Sequence, residues 1–187
     1  DCTNLNFIQV NSDLQDIEFT GNYNSPFIKL NSSSSKNITV TFGENVTRVP
    51  AYMFYGGNGN YVYGAPKSYV SKVYFSNGIT SIGKYAFSEC VQMTSIDLPK
   101  NLKTIGSGAF AYCKLSSIII NSDIDDSEYD RESSPFYTYE GYFDVVFAEC
   151  VTHIPANLFA TNSRVKSVSF SNTVTEISDG AFRDCTN

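Results

Sequence analysis

The chain repeats itself. Ile82-Gly83-Lys84-Tyr85-Ala86-Phe87-Ser88-Glu89-Cys90 returns 23 residues later as Ile105-Gly106-Ser107-Gly108-Ala109-Phe110-Ala111-Tyr112-Cys113, and again as Ile177-Ser178-Asp179-Gly180-Ala181-Phe182-Arg183-Asp184-Cys185. Looser copies are Val49-Pro50-Ala51-Tyr52-Met53-Phe54 and Ile154-Pro155-Ala156-Asn157-Leu158-Phe159. Between these motifs lies a second element. Met93-Thr94-Ser95-Ile96-Asp97-Leu98 reads apolar-x-x-apolar-x-apolar, as do Val70–Phe75, Leu115–Ile120 and Val165–Phe170. Its last two apolar positions alternate with period two, which marks a short strand with one buried face. A unit this short cannot enclose a core by itself. Its apolar face is covered only when successive copies stack, so the period predicts a solenoid.

The residues expected inside one coil are Met93, Ile96, Leu98, Leu102 and Ile105, with Ala109-Phe110 closing the turn. Gly83 and Gly106 are expected to permit the bend between strand and return segment. The Ala-Phe pair suits a brief helical turn. A longer duplication overlies the short one: Val10-Asn11-Ser12-Asp13-Leu14 resembles Ile120-Asn121-Ser122-Asp123-Ile124, and Ser25-Pro26-Phe27 resembles Ser134-Pro135-Phe136. The shift falls from 110 residues here to 95 between Phe87 and Phe182. One multi-coil unit was copied, and its loops then changed length.

These residues resemble the BspA-like leucine-rich-repeat family, whose repeat runs apolar-x-x-Ile-x-Leu-Pro-x-x-Val-x-x-Ile-Gly-x-x-Ala-Phe-x-x-Cys. Met93, Ile96, Leu98, Pro99, Leu102, Ile105, Gly106, Ala109, Phe110 and Cys113 follow it nearly position by position. The regular match covers 70–113 and 145–185; residues 37–54 match loosely, and 11–36 and 121–144 depart from it. The resemblance implies secreted or surface-anchored proteins of bacteria and some protists, associated with adhesion to host proteins and other cells. The expected fold is an α/β, β-dominated, right-handed leucine-rich-repeat solenoid of about seven coils with a regular 23-residue period. Residues 1–187 are read as one solenoid, an excerpt of a longer array because both ends fall at the same phase of the repeat. Exposed coil ends would then favour end-to-end association at high concentration.

Charge narrows the possible partners. The net charge is −6, and Lys and Arg form no stripe, so nucleic acid and anionic membrane surfaces are disfavoured. No apolar run approaches the ~20 residues of a spanning helix, and no signal peptide is present. With one His and no C-x-x-C pair, a zinc site has no ligand set. Cys2, Cys90, Cys113 and Cys185 occupy the closing position of the repeat and read as a ladder of small buried residues, with a Cys90–Cys113 bridge as the alternative. Cys150 is out of phase and reads as an exposed thiol. His153 aligns with Ser81, Thr104 and Glu176, so it reads as a solvated surface residue. The acidic run from Asp123 to Glu132 lacks the glycine a calcium loop needs at its sixth position, and reads as a solvated insertion. Asn31, Asn37 and Asn45 stand in glycosylation-type triplets, informative only for a secreted eukaryotic chain. No converging carboxylates, nucleophile–base pair or phosphate loop points to an enzyme, and no cofactor is expected.

Two features suggest a binding surface. Ten of the 13 tyrosines fall within 52–74 and 129–142. The first group surrounds a Tyr/Gly/Asn insertion over 55–69, a composition of adaptable binding loops. Its candidates are Tyr55, Tyr61, Tyr63, Tyr69 and Tyr74; those of the second are Tyr137, Tyr139 and Tyr142. The alternative is that these rings only lid the edge of the solenoid. The other feature is the outward row of the strands, from which Thr41, Lys72, Asp97 and Asp144 are candidates. The preferred function is extracellular recognition of a host or neighbouring-cell surface or matrix protein. The rivals are a passive spacer and a carbohydrate-binding module using the tyrosine loops.

Overall fold

The structure, a computed structural model, describes residues 5–16, 27, 37–56, 68–126, 129, 134–138 and 141–187. Twelve strands follow in order among them: β1 (Phe7–Val10), β2 (Ile38–Phe42), β3 (Arg48–Val49), β4 (Val70–Tyr74), β5 (Ser81–Ile82), β6 (Ser95–Asp97), β7 (Thr104–Ile105), β8 (Ser117–Ile120), β9 (Phe143–Phe147), β10 (His153–Ile154), β11 (Val165–Phe170) and β12 (Glu176–Ile177). Every paired strand is parallel to its neighbour. Parallel neighbours need a crossover of about a dozen residues or more, and one repeat supplies it.

The strands fall into two rows. The longer ones form the sheets β1-β2-β4 and β6-β8-β9-β11; the two-residue ones form β3-β5-β7 and β10-β12. Equivalent positions face each other from repeat to repeat. Val40 pairs with Val73, Ile118 with both Ile96 and Val145, and Val145 with Val168. The numbering steps between these partners are 33, 22, 27 and 23 residues. The 23-residue period is therefore the regular case, and the connecting loops absorb the departures.

Register survives because the core does not change phase. One apolar cluster runs from Val10 to Ala181 between the two strand rows and the closing turns. Through it passes a column of phenylalanines: Phe27, Phe54, Phe87, Phe110, Phe136, Phe159 and Phe182, stacked 5.0–5.6 Å apart at 2–18° between planes. Phe136 comes from a segment that breaks the sequence pattern, yet it takes its place in the column. Each stacked pair contributes about 0.5–1.5 kcal/mol beyond area burial.

The closing motif is not helical. Ala86, Ser88 and Cys90 donate their N–H groups back to the carbonyls of Gly83, Tyr85 and Phe87, closing tight turns. Tyr85, Phe87 and Glu89 instead donate forward to Ser107, Ala109 and Ala111 of the next repeat at 2.8–3.0 Å. An α-helix keeps all such bonds within itself. Here half are exported to hold the stack, so the brief helical turn expected at Ala-Phe is a run of hydrogen-bonded turns. The α part of the expected class is absent among the described residues. This alternation goes with left-handed backbone at paired positions: Tyr85 and Glu89, Gly108 and Tyr112, Asn157 and Thr161, Gly180 and Asp184, all at φ between 52° and 67°. Each non-glycine residue there costs about 1–2 kcal/mol, which the exported bonds offset.

Gly83 and Gly106 have a different role from the bend expected of them. Neither is left-handed. A Cβ on Gly83 would lie 2.4 Å from the Ala51 nitrogen, and one on Gly106 would lie 2.3 Å from the Lys84 nitrogen. These glycines let adjacent repeats touch backbone to backbone.

Candidate functional site

The long-strand row presents one outward face. On it Thr39 and Thr41 stand opposite Lys72 and Tyr74. Ser95 and Asp97 stand opposite Ser117 and Ile119, which lie opposite Asp144 and Val146, and these in turn opposite Ser167 and Ser169. Strand alternation sends the other set of side chains inward: Val40, Ile96, Ile118 and Val145 are all buried. Thus Thr41, Lys72, Tyr74, Asp97 and Asp144 share one surface. Lys72 and Asp97 are exposed, Thr41 and Asp144 half-buried, and Tyr74 keeps 56% of its surface in solvent. The Ser167 hydroxyl donates to Asp144 at 2.5 Å and holds that carboxylate against the sheet. Phe7 (48%) and Val146 (39%) are exposed on the same row. Phe7 escaped the sequence-based candidates because 7–10 lacks the repeat motif. The signal that finds it is its register opposite Thr39.

The face has a seam. Among the described residues no strand ladder joins β4 to β6, although their residues occupy equivalent positions in successive repeats. A groove of about 180 Å³ opens there, walled by Tyr74, Phe75 and Asn77 on one side and by Asp97, Lys100 and Asn121 on the other. Asn121 reaches back to donate its amide to the Asp97 carboxylate and, at 2.8 Å, to the Leu98 carbonyl.

The tyrosines divide. Tyr61, Tyr63 and Tyr139 lie outside the described residues. Tyr69 is half-buried and packs against the core, so it is a structural ring and not the exposed contact expected of it. Tyr55 is half-buried and packs edge-on against Tyr52, 5.6 Å between centroids, beside a stacked Tyr52–Tyr85 pair 5.4 Å apart. Lys84 Nζ lies 5.6 Å from the Tyr52 centroid. Partial burial raises the Tyr52 phenol above its ordinary value, keeping it neutral. Tyr137 is half-buried with its edge toward Tyr112 at 5.9 Å. Tyr142 is exposed (52%), with the Arg164 guanidinium 5.2 Å from its centroid. Tyr74 and Tyr142 are therefore the described tyrosines that present a ring to solvent as the binding-surface reading requires.

The stacked parallel strands, the phenylalanine column and the closing cysteines are features of one repeat type. A family model for the BspA-type leucine-rich repeat region matches residues 59–187 in six copies. The chain belongs to that family. Neither the curated proteins nor the solved structures contain a match to it. The pairing of β1, β2 and β3 with later strands continues the stack N-terminal to the matched BspA-type copies. Among the described residues no helix is long and apolar enough to cross a membrane.

The closing residue of each BspA-type repeat is a donor. The thiols of Cys90, Cys113 and Cys185 point to the carbonyls of Phe54, Phe87 and Phe159, one repeat back, at 3.7, 3.2 and 3.2 Å. Where the cysteine is missing, Asn162 donates its amide to Phe136 at 2.7 Å. The thiols of Cys90, Cys113, Cys150 and Cys185 are all free; the first two are buried, as a ladder of small residues requires, and Cys150 is exposed. Burial, with the Cys90 thiol adding, pushes the Cys113 thiol well above its ordinary value, so it stays protonated and able to donate.

The carboxylates in the irregular segments are also stitches. Asp123 accepts from the Thr152 N–H (2.7 Å), the Thr152 hydroxyl (2.7 Å) and the His153 N–H (3.1 Å). Asp13 does the same for Thr47 and Arg48, at 2.7, 2.6 and 3.3 Å. Three residues on, Asp16 accepts from Ala51 N–H at 2.9 Å and Asp126 from Ala156 N–H at 2.8 Å. The acidic stretch read as a solvated loop thus contributes two of its carboxylates to the fold.

His153 is likewise not the solvated residue expected. Its ring is half-buried, with Nε2 2.8 Å from Ser178 Oγ and 3.5 Å from Asp126 Oδ1. Both neighbours meet the same nitrogen, so no serine–histidine–aspartate relay exists, since a relay needs the two on opposite nitrogens.

Proposed function

We propose that the chain is a protein-recognition and cell-adhesion repeat domain of a surface or secreted protein, wound as a single right-handed solenoid of about seven coils. The observation that carries this reading is the long-strand face. Its outward residues are set in register by a backbone that does not depend on them. They place exposed aromatic and aliphatic groups, Phe7, Tyr74 and Val146, among small hydroxyl side chains. Such a mixture of apolar anchors with a polar surround is what a protein interface uses. The stack of one phenylalanine per turn supports the coil number, and the family supports an extracellular partner such as a host or matrix protein.

The test is a binding screen of the chain against immobilised extracellular-matrix proteins. Alongside it run a strand-face variant (Tyr74→Ser with Val146→Ser) and a loop variant (Tyr55, Tyr61, Tyr63 and Tyr69 to Ser). Saturable binding that the strand-face variant loses and the loop variant keeps is the expected result. Loss in the loop variant alone would move the site to the insertion. No binding to any protein would leave a spacer as the better account.

A further inference from the structure

We propose that the seam between β4 and β6 is a subsite for one neutral sugar ring, distinct from the protein-recognition reading and independent of it. Everywhere else along the long-strand face, neighbouring strands are hydrogen-bonded and their outward residues stand on a closed surface. Only where the ladder is missing does the face open into a groove that draws on three successive repeats: Tyr74 and Asn77 from the first, Asp97 and Lys100 from the second, Asn121 from the third.

The chemistry of the walls selects the ligand. Tyr74 presents a mostly exposed aromatic ring on one side. The C–H face of a pyranose packs on such a ring because the ring's negative face attracts weakly positive C–H groups, and both surfaces are apolar. The opposite side carries a carboxylate, an ammonium and an amide. These supply acceptors and donors at short spacing, as adjacent sugar hydroxyls require. Asp97 is held in place by Asn121, so the acceptor is preorganised. Its charge is balanced in the groove by Lys100. A groove with one carboxylate and one ammonium offers no net attraction to a phosphate, a metal ion or an amine, whereas a neutral polyhydroxylated ring satisfies both groups. Size agrees: about 180 Å³ lies below the ~300–1,000 Å³ of pockets for drug-sized ligands, which limits the occupant to a single ring.

A subsite this small and open binds weakly, with a dissociation constant on the order of 1 mM. The experiment is saturation-transfer NMR on the intact chain with the methyl glycosides of glucose, galactose, mannose and N-acetylglucosamine. It is run in parallel with Tyr74→Ala, Tyr74→Phe and Asp97→Asn. These side chains are exposed, and a thermal melt of each variant verifies that the fold is kept. The proposal expects saturable transfer to at least one glycoside, about tenfold weaker in Tyr74→Ala and retained in Tyr74→Phe. Asp97→Asn weakens it by a smaller factor. Absence of transfer to all four glycosides, or transfer that Tyr74→Ala leaves unchanged, overturns it. Matrix-protein binding is read separately, so either reading can fail alone.

Discussion

The regular repeats and the interrupted ones are joined by different groups. In the regular stretch the carbonyl of Thr47 accepts the N–H and hydroxyl of Thr80, and the carbonyl of Thr80 accepts the N–H groups of Lys103 and Thr104. The carbonyl of Thr152 takes the N–H and hydroxyl of Thr175 and the N–H of Glu176 in the same way. At Thr47 and Thr152 themselves the preceding repeat is irregular. The same three donors, two amides and a hydroxyl, meet the carboxylates of Asp13 and Asp123 instead. A side-chain carboxylate can do the work of a main-chain carbonyl, so an insertion need not end the stack. The cost is sensitivity to acid, since a carboxylate can be protonated and a carbonyl cannot.

Four substitutions probe this difference, from the largest effect to the smallest. Phe87→Ala in a regular repeat and Phe136→Ala in an interrupted one should each cost about 3–5 kcal/mol by urea denaturation. Equal costs mean the column is continuous, and a cheap Phe136→Ala would break it at the interruption. Gly106→Ala should cost about 1–3 kcal/mol or more, because its Cβ meets the backbone at Lys84. Gly141→Ala, with nothing near but φ at 73°, should cost only about 1 kcal/mol. Asp123→Asn should cost about 1 kcal/mol at neutral pH, a small figure because the carboxylate is largely exposed. Its clearer effect is on pH dependence. The Thr47 hydroxyl and N–H lower Asp13, and the Ala51 N–H lowers Asp16. At Asp123 partial desolvation pushes upward, but the bonds from Thr152 and His153 outweigh it. Carboxyls lowered in the folded state contribute stability that is full above the ordinary aspartate value of ~3.9 and lost as pH falls through the folded one. The acid limb of stability should therefore be shallower in Asp123→Asn than in the native chain, measured by denaturation at stepped pH. Cys113→Ser should change stability by under about 1.5 kcal/mol, since a hydroxyl donates to Phe87 as the thiol does.

The repeat was legible because each unit states its core twice, once as the strand's alternation and once as the Ala-Phe turn. The shared outward face of Thr41, Lys72, Tyr74, Asp97 and Asp144 followed from alternation alone. What stayed hidden depends on neighbours one repeat away. The glycine of the Ile-Gly pair looks like a bend until the backbone opposite is seen. Asp13 and Asp123 look solvated because their partners lie 34 and 29 residues on. The seam between β4 and β6 follows from strand spacing, which composition does not encode, so Tyr74 and Asp97 could be named singly but not as walls of one groove. Tyr69 was misread because its place in an inserted loop outweighed its position beside the buried start of β4.

The most direct test of a stack kept continuous by carboxylates is an NMR pH titration of single amide protons. Thr47, Arg48 and Thr152 would be followed from neutral to about pH 2, against Thr80, Thr104 and Thr175 as controls. The account predicts that the first set shifts with midpoints below ~3.9 while the controls stay nearly still. Midpoints at or above that value, or equal movement in both sets, would contradict it.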